Sequence, residues 1–94
     1  MPVDPSTVIA LTSSYRESGL SGLEPVGIVC GYEHSSKSVN LGRSEAVTNL
    51  QEKAAEVGCT HVFNIQFESW TVGHPNNGDY GSRAIGDAYR PQRE

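Results

Sequence analysis

Cysteine, basic residues and aromatic residues are all scarce in this 94-residue sequence. Its two cysteines are too few for a disulfide framework, which favours the reducing cytoplasm as the compartment. Seven Lys and Arg residues against eleven Asp and Glu residues give a net charge of −4, and the basic residues form no cluster along the chain. This balance argues against a nucleic-acid partner and against binding to an anionic membrane surface.

Long apolar runs are also missing. No stretch approaches the roughly 18 consecutive apolar residues that a membrane-spanning helix needs. The start of the chain, Met1 to Pro5, has neither the basic segment nor the apolar segment of a signal peptide. We therefore expect no membrane partner and a cytoplasmic location, with a periplasmic location as the alternative if the sequence is a trimmed part of a longer chain.

The length predicts a single domain over residues 1–94, with loose tails at residues 1–6 and 91–94. A chain of this size buries roughly 60–65% of its unfolded surface, which leaves a marginal core. The apolar fraction is 36% and the mean hydropathy is −0.41. Contact with further copies of the chain would bury more apolar surface, so we expect self-association.

One helix is predicted over residues 43–57. An apolar stripe recurs at helical spacing there, formed by Val47, Leu50, Ala54 and Val57. Gly58 then provides the expected left-handed stop. One face of this helix should pack on a sheet, while the other face should remain in water.

Four β-prone segments accompany the helix, at residues 8–12, 26–32, 60–70 and 82–89. In the third segment an apolar alternation predicts one buried face, formed by Phe63, Ile65 and Phe67. In the fourth segment small residues share one face, which leaves room for the helix: Ala84, Gly86 and Ala88. The pair Asn77-Gly78 predicts a hairpin between the last two strands, and residues 13–23 are predicted to form a loop.

The predicted order is strand, strand, helix, strand, strand, which is an α+β domain with one helix on a mostly antiparallel sheet. Three segments in this order resemble the YbjQ-like family, whose members are described as heavy-metal-binding domains. These segments are the strand at residues 23–31, the helix and strand at residues 46–67, and the closing run Ile85-Gly86-Asp87-Ala88-Tyr89-Arg90. The sequence departs from the family pattern at Cys59-Thr60-His61 and at Asp87, where the family usually has Thr.

This resemblance implies a dodecin-like β-α-β2 two-layer fold, here with an extra N-terminal strand. It also implies ring-shaped homo-oligomers, pentamers, and no established enzymatic activity. The short connection between the second strand and the helix is similar to that of RcsF-type periplasmic domains, whose cysteines form disulfides. That similarity leaves a cell-envelope sensor or interaction domain as an alternative function.

The family description directs attention to metal ligands. The available side chains are Cys30, Glu33, His34, Cys59, His61 and His74, but no C-x-x-C, H-x-x-x-H or H-E-x-x-H motif occurs. Cys59 and His61 point to the same side if both are extended, and Cys30 joins them if the second and third strands are neighbours. A transition-metal site at Cys30, Cys59 and His61, at a subunit junction, is therefore an alternative function. The favoured interpretation is that Cys30 is a small buried residue and His61 a surface residue of a strand.

No residue pattern indicates catalysis. Cys59 follows the C-terminus of the predicted helix, where the helix dipole raises a thiol pKa, and no G-x-S-x-G motif occurs. A Cys30–Cys59 disulfide would need Cα atoms within about 7 Å and would not persist in the cytoplasm.

The remaining residues of interest are a carboxylate and three aromatic residues. Asp87 has apolar neighbours and would need a partner if buried, which an arginine of a neighbouring subunit, Arg83 or Arg43, would supply; the favoured interpretation is a solvent-facing residue on an edge strand. Residues near strand ends are assigned to subunit contacts: Trp70, Tyr80 and Tyr89. The leading prediction is a self-assembling, non-enzymatic domain without a cofactor.

Overall fold

The computed structural model describes residues 2–36, 38–72 and 79–92, and in these ranges it contains two α-helices and four strands. In chain order they are β1 (Ile9–Ala10), α1 (Tyr15–Ser18), β2 (Leu23–Ser36), α2 (Val39–Glu56), β3 (His61–Val72) and β4 (Asp79–Pro91). The predicted succession of elements is confirmed, with α1 added inside the segment predicted as a loop. Of these helices, neither has the length and apolar character that crossing a membrane requires.

The four strands form one sheet in the order β1-β3-β4-β2. β4 pairs antiparallel with both β2 and β3, while β1 pairs in parallel with the start of β3. The sheet is therefore mostly antiparallel with an extra N-terminal strand, as predicted. The predicted hairpin turn at Asn77-Gly78 lies outside the described residues.

α2 starts earlier than predicted because Ser38 provides an N-cap. The Ser38 hydroxyl accepts a hydrogen bond from the backbone N–H of Leu41 at 3.1 Å. At the other end Gly58 has a φ of 77°, which confirms the predicted left-handed stop. Val57, however, is 51% exposed. Its place in the apolar stripe was wrong, because the helix ends at Glu56 and Val57 no longer has helical backbone angles.

The helix packs on small residues of the sheet. Ala84 and Ala88 of β4 are fully or almost fully buried in the same core cluster as Ala46, Leu50 and Ala54 of α2. The predicted packing of the helix on the small-residue face of the last strand is confirmed. This layer is the main hydrophobic core, and it fixes which face of the sheet α2 covers.

A β-bulge in β3 changes the predicted alternation. Val62 pairs with Ala88 and Phe63 with Asp87, but the register then shifts so that Gln66 pairs with Ile85. Asn64 lies inside the shift with a φ of 58°, in the left-handed region. Phe63 therefore lies on the face opposite α2, whereas Ile65 belongs to the core under α2. The prediction that these two residues share a face was wrong, because the extra residue reverses the alternation.

α1 and the segment before β1 close the two faces of the sheet at one end. Ser14 and Glu17 form a capping box at the start of α1, with hydrogen bonds of 3.1 and 3.2 Å. Before β1, Val8 is buried in the core, and its carbonyl accepts a hydrogen bond of 2.7 Å from the Gln51 side chain. These contacts attach the N-terminal part of the chain to both layers.

Candidate functional site

The face of the sheet opposite α2 carries the candidate site, and we call it the open face. The strand register assigns its residues, because paired residues of an antiparallel sheet direct their side chains to the same side. Asp87 pairs with both Ile28 and Phe63, and Ile85 pairs with both Cys30 and Gln66. The open face therefore combines aliphatic side chains with a carboxylate and amides.

One end of the open face is closed by four rings. Tyr15 of α1 lies 5.4 Å from Phe63 and 4.8 Å from Tyr89, measured between ring centroids. Phe63 meets Tyr89 edge-on at 5.0 Å and stacks with His61 at 5.9 Å. The hydroxyl of Tyr15 also accepts a hydrogen bond from the N–H of Leu23. This aromatic cluster, Tyr15, His61, Phe63 and Tyr89, forms a small second core under α1.

The three residues predicted as metal ligands lie in different surroundings. Cys59 is fully buried in the core under α2, while His61 belongs to the aromatic cluster on the open face. Cys30 is half-buried in β2, and β4 separates β2 from β3, so the second and third strands are not neighbours. Cys30 was expected beside His61 only if the second and third strands were neighbours, and that condition is not met. Both cysteines are free.

The surroundings of Cys59 and His61 favour the neutral form of each side chain. Burial raises the pKa of the Cys59 thiol, and the nearby positive charge of Arg90 offsets this effect in part. Burial lowers the pKa of His61 from its ordinary value of 6.5. His61 Nδ1 shares a hydrogen bond of 2.8 Å with the hydroxyl of Thr60. A neutral, buried thiol is a poor nucleophile, as the sequence predicted.

The other candidate ligands do not form a group with these residues. His34 stacks on Tyr32 at 6.0 Å, and Glu33 contacts Glu45, whose pKa is raised mainly by a hydrogen bond with Glu33. His74 lies outside the described residues. Over the described ranges, no three Cys, His, Asp or Glu side chains converge as a metal site requires.

Asp87 finds a partner that was not predicted. It lies on β4, an interior strand, so the alternative of an edge-strand position was wrong. Its Oδ2 accepts a hydrogen bond of 3.1 Å from the Asn64 side chain, which the bulge in β3 places beside it. Within one chain Arg83 and Arg43 contact Glu68 and Phe67 instead, and a contact of either arginine with Asp87 of a neighbouring subunit stays a prediction.

Those two arginines stabilise the far end of the sheet. Arg83 forms an ion pair of 2.7 Å with Glu68, and a hydrogen bond with Tyr32 is the main cause of its raised pKa. Arg43 of α2 lies over the ring of Phe67 at 5.3 Å from the ring centroid. Both guanidinium groups are therefore engaged away from Asp87.

The aromatic residues assigned to subunit contacts have clear positions within one chain. Trp70 packs its indole directly over Gly81 of β4, and Tyr89 belongs to the aromatic cluster. Tyr80 pairs with Thr71 in the sheet. Their part in contacts between copies stays a prediction.

Sequence reasoning missed the open face because it treated β3 as a regular strand. The signal was Asn64, a residue type that tolerates the left-handed region and therefore marks bulges and turns. A bulge at that position moves Phe63 to the open face and brings Asn64 to Asp87. Neither consequence follows from period-two alternation.

No protein-family model matches the chain, and no curated protein matches it. Among solved structures, the chain is similar to a crystal structure of a protein of unknown function from Pediococcus pentosaceus that belongs to the DUF74 family. The TM-score is 0.70 at 13% identity, and the match covers 90% of this chain and 98% of the other. DUF74 is the YbjQ-like family. At this identity the likeness establishes the fold, one main helix on a four-stranded mixed sheet.

Proposed function

We propose that this chain is a non-enzymatic, self-assembling domain that joins copies of itself into a closed ring, a pentamer by its resemblance to the YbjQ-like family. The observation that carries the proposal is the grouping of exposed apolar side chains on β2. Val26, Ile28 and Tyr32 are 42%, 70% and 42% exposed, and Ile28 stands on the open face. Grouped apolar surface on a small domain is typical of an interaction site.

The outer edge of β2 supports the proposal because no strand of the described residues pairs with it, although the Asn49 side chain already occupies the outward N–H of Tyr32. β2 has 14 residues and pairs with β4 along one side. The N–H of Tyr32 points away from β4, since it donates to Asn49 Oδ1 at 3.0 Å. Every second residue of an antiparallel edge strand directs its peptide groups outward, so Ile28 and Cys30 belong to the same outward set.

The opposite edge of the sheet supports a ring. β1 pairs with β3 at Ile9 and Ala10, so over the described ranges the outer side of β3 has no strand partner between Gln66 and Val72. The two free edges differ in sequence and in length. A contact between two different surfaces repeats head-to-tail, and it closes into a ring when the rotation allows.

The state of Cys59 supports a role without covalent chemistry. The thiol is buried, its pKa is raised by that burial, and its Sγ lies 4.0 Å from the carbonyl oxygen of Val57. A catalytic cysteine needs the opposite surroundings, with partial exposure and a lowered pKa.

Light scattering after size-exclusion chromatography tests the proposal. At micromolar concentration we expect a species with five times the 10.1 kDa mass of one chain. A single species of 10.1 kDa over the whole concentration range contradicts self-assembly. A stable dimer contradicts the ring while leaving self-association in place, because a closed dimer uses the same surface on both copies.

A pair of substitutions locates the contact. Ile28→Glu places a second negative charge on the open face, across from the carboxylate of Asp87, where burial against a second copy would cost several kcal/mol, on the order of the penalty for an unpaired buried charge. We expect this variant to elute as a monomer with an unchanged circular dichroism spectrum. Val57→Glu is the matched control, because Val57 is 51% exposed and lies at the end of α2. Equal dissociation of both variants would remove the open face from the proposal.

A further inference from the structure

A hollow of about 290 Å³ opens in the open face beside the bulge of β3. Aliphatic side chains, amides and a single ionisable group line it: Ile28, Asn64, Gln66, Ile85, Gly86 and Asp87. The side-chain oxygens of Asn64, Gln66 and Asp87 in this lining can all accept a hydrogen bond.

Asp87 is the charged group of this hollow, and its neighbours in the sheet are apolar. Ile28 lies across from it on β2 and Phe63 on β3. Its Oδ2 accepts the one hydrogen bond from Asn64, a neutral amide. A half-buried carboxylate in this position retains acceptor sites on both oxygens and has no compensating charge of its own.

The two arginines of β4 each form an ion pair with a residue other than Asp87. Arg83 binds Glu68 at 2.7 Å and Arg90 binds Glu24 at 2.8 Å. Within the part of the chain that the structure describes, no Lys, Arg or His side chain forms an ion pair with Asp87. A cation that complements this carboxylate would therefore come from outside these residues.

We propose that the hollow binds an alkylammonium or alkylguanidinium group. The cationic head would donate hydrogen bonds to Asp87 and to the side-chain oxygens of Asn64 and Gln66. These oxygens have acceptor sites that the hydrogen bond from the Asn64 amide to Asp87 leaves unused. The alkyl stem would lie on Ile28 and Ile85, as lysine and arginine stems lie on apolar surfaces elsewhere. The negative charge of Asp87 disfavours an anion in this hollow.

Two sources can supply this chemistry, a free amine or guanidine and a basic side chain of a second copy. The second source rests on the proposed function, since the hollow lies in the surface assigned to assembly. The first source is independent of it. Two measurements on the same variants, Asp87→Asn and Asp87→Glu, separate the sources.

The first measurement is the dissociation constant of the assembly, from a dilution series by light scattering. If the cation comes from a second copy, Asp87→Asn raises this constant by about tenfold, the loss of one charge-assisted hydrogen bond. Added salt should weaken the wild type more than the variant. Asp87→Glu should retain most of the affinity. Glu56→Gln is the control, because it removes one negative charge at an exposed position of α2 and should leave the dissociation constant unchanged.

The second measurement is an amide chemical-shift titration with butylguanidinium chloride, with butanol as the uncharged match. If a free cation occupies the hollow, the signals of residues 64–66 and 85–87 shift in the wild type and in Glu56→Gln, but not in Asp87→Asn. A response in either measurement supports the proposal and names the source. Asp87→Asn behaving as the wild type in both overturns it. A wild type that stays monomeric refutes the proposed function alone, because the titration still decides the site.

Discussion

Gly31 has no side chain at the point where α2 lies closest to β2. A Cβ atom there would collide with the backbone of α2 at Ala46 and Leu50, and not merely with a movable side chain. The distance between the helix and the sheet is therefore set by a contact between two backbones. A backbone cannot rotate away as a side chain can, so this position tolerates no substitution without moving the helix.

Gly31→Ala should lower the free energy of unfolding by about 2 kcal/mol or more, within the range of overpacked cores. Gly27→Ala is its control, because Gly27 lies on the same strand and a Cβ there meets nothing within 4 Å. That change should be neutral or slightly stabilising, since alanine restricts the unfolded chain. Urea denaturation of both variants measures the difference, and equal losses would refute the contact.

We expect His61 to make the aromatic cluster sensitive to acid. Its pKa is lowered by burial, so the unfolded state binds a proton at a higher pH than the folded state does. Stability should therefore fall as the pH drops below the ordinary value of 6.5 and should stop falling below the lowered pKa. The exposed His34 provides a control position.

Denaturation at about pH 7 and about pH 5 tests this coupling, since the histidine charge changes between them. The wild type should lose more stability over that interval than His61→Phe, which keeps the ring and removes the proton site. His34→Asn should follow the wild type. An identical pH profile for the wild type and His61→Phe would show that the cluster is not coupled to protonation.

At the scale of elements, α1 shows how a short helix depends on its cap. Four residues form too short a helix to be stable by propensity, so the capping box of Ser14 and Glu17 and the packing of Tyr15 hold it. The sequence did contain the signal, a Ser followed three residues later by Glu. Four residues cannot display helical periodicity, and for that reason the segment was predicted as a loop.

Ser14→Ala should lower the free energy of unfolding by about 1 kcal/mol, the usual value of an N-cap. It should also weaken the near-ultraviolet circular dichroism, because Tyr15 loses its fixed position over Phe63 and Tyr89. Ser21→Ala, at an exposed position, should change neither signal. If Ser14→Ala keeps the near-ultraviolet circular dichroism of the wild type, packing alone holds α1 in place.

At the scale of the whole molecule, the chain is extended for its length. The Cα atoms span 55 × 28 × 17 Å with a radius of gyration of 14.4 Å. A compact domain of this length would have a radius of about 12 Å. A thin, long plate buries less of its own apolar surface, so it gains more from contact with further copies.

If copies assemble as proposed, the melting temperature should rise with protein concentration, because association stabilises the folded state alone. Thermal unfolding at several concentrations measures this dependence. Ile28→Glu should melt at the same temperature at all of them, while Val57→Glu should follow the wild type. If the melting temperature of the wild type does not change with protein concentration, the chain does not assemble at the temperatures of the unfolding transition.

The sequence by itself determined the elements that have a long local signal. The stripe at Leu50 and Ala54 predicted α2, Gly58 predicted its end, and the small residues Ala84 and Ala88 predicted where it packs. These patterns depend on residues close together in the chain, whose periodicity reflects which side is buried. The resemblance to the YbjQ-like family rests on the same local patterns, and the structural likeness to a DUF74 protein agrees with it.

Only the tertiary structure decided which residues of distant segments lie next to each other. The strand order places β4 between β2 and β3, which keeps Cys30 away from His61. The bulge at Asn64 moves Phe63 to the open face and gives Asp87 its amide partner. Both outcomes depend on pairing between distant segments, and one extra residue reverses a whole alternation, so no local pattern in the sequence contains them.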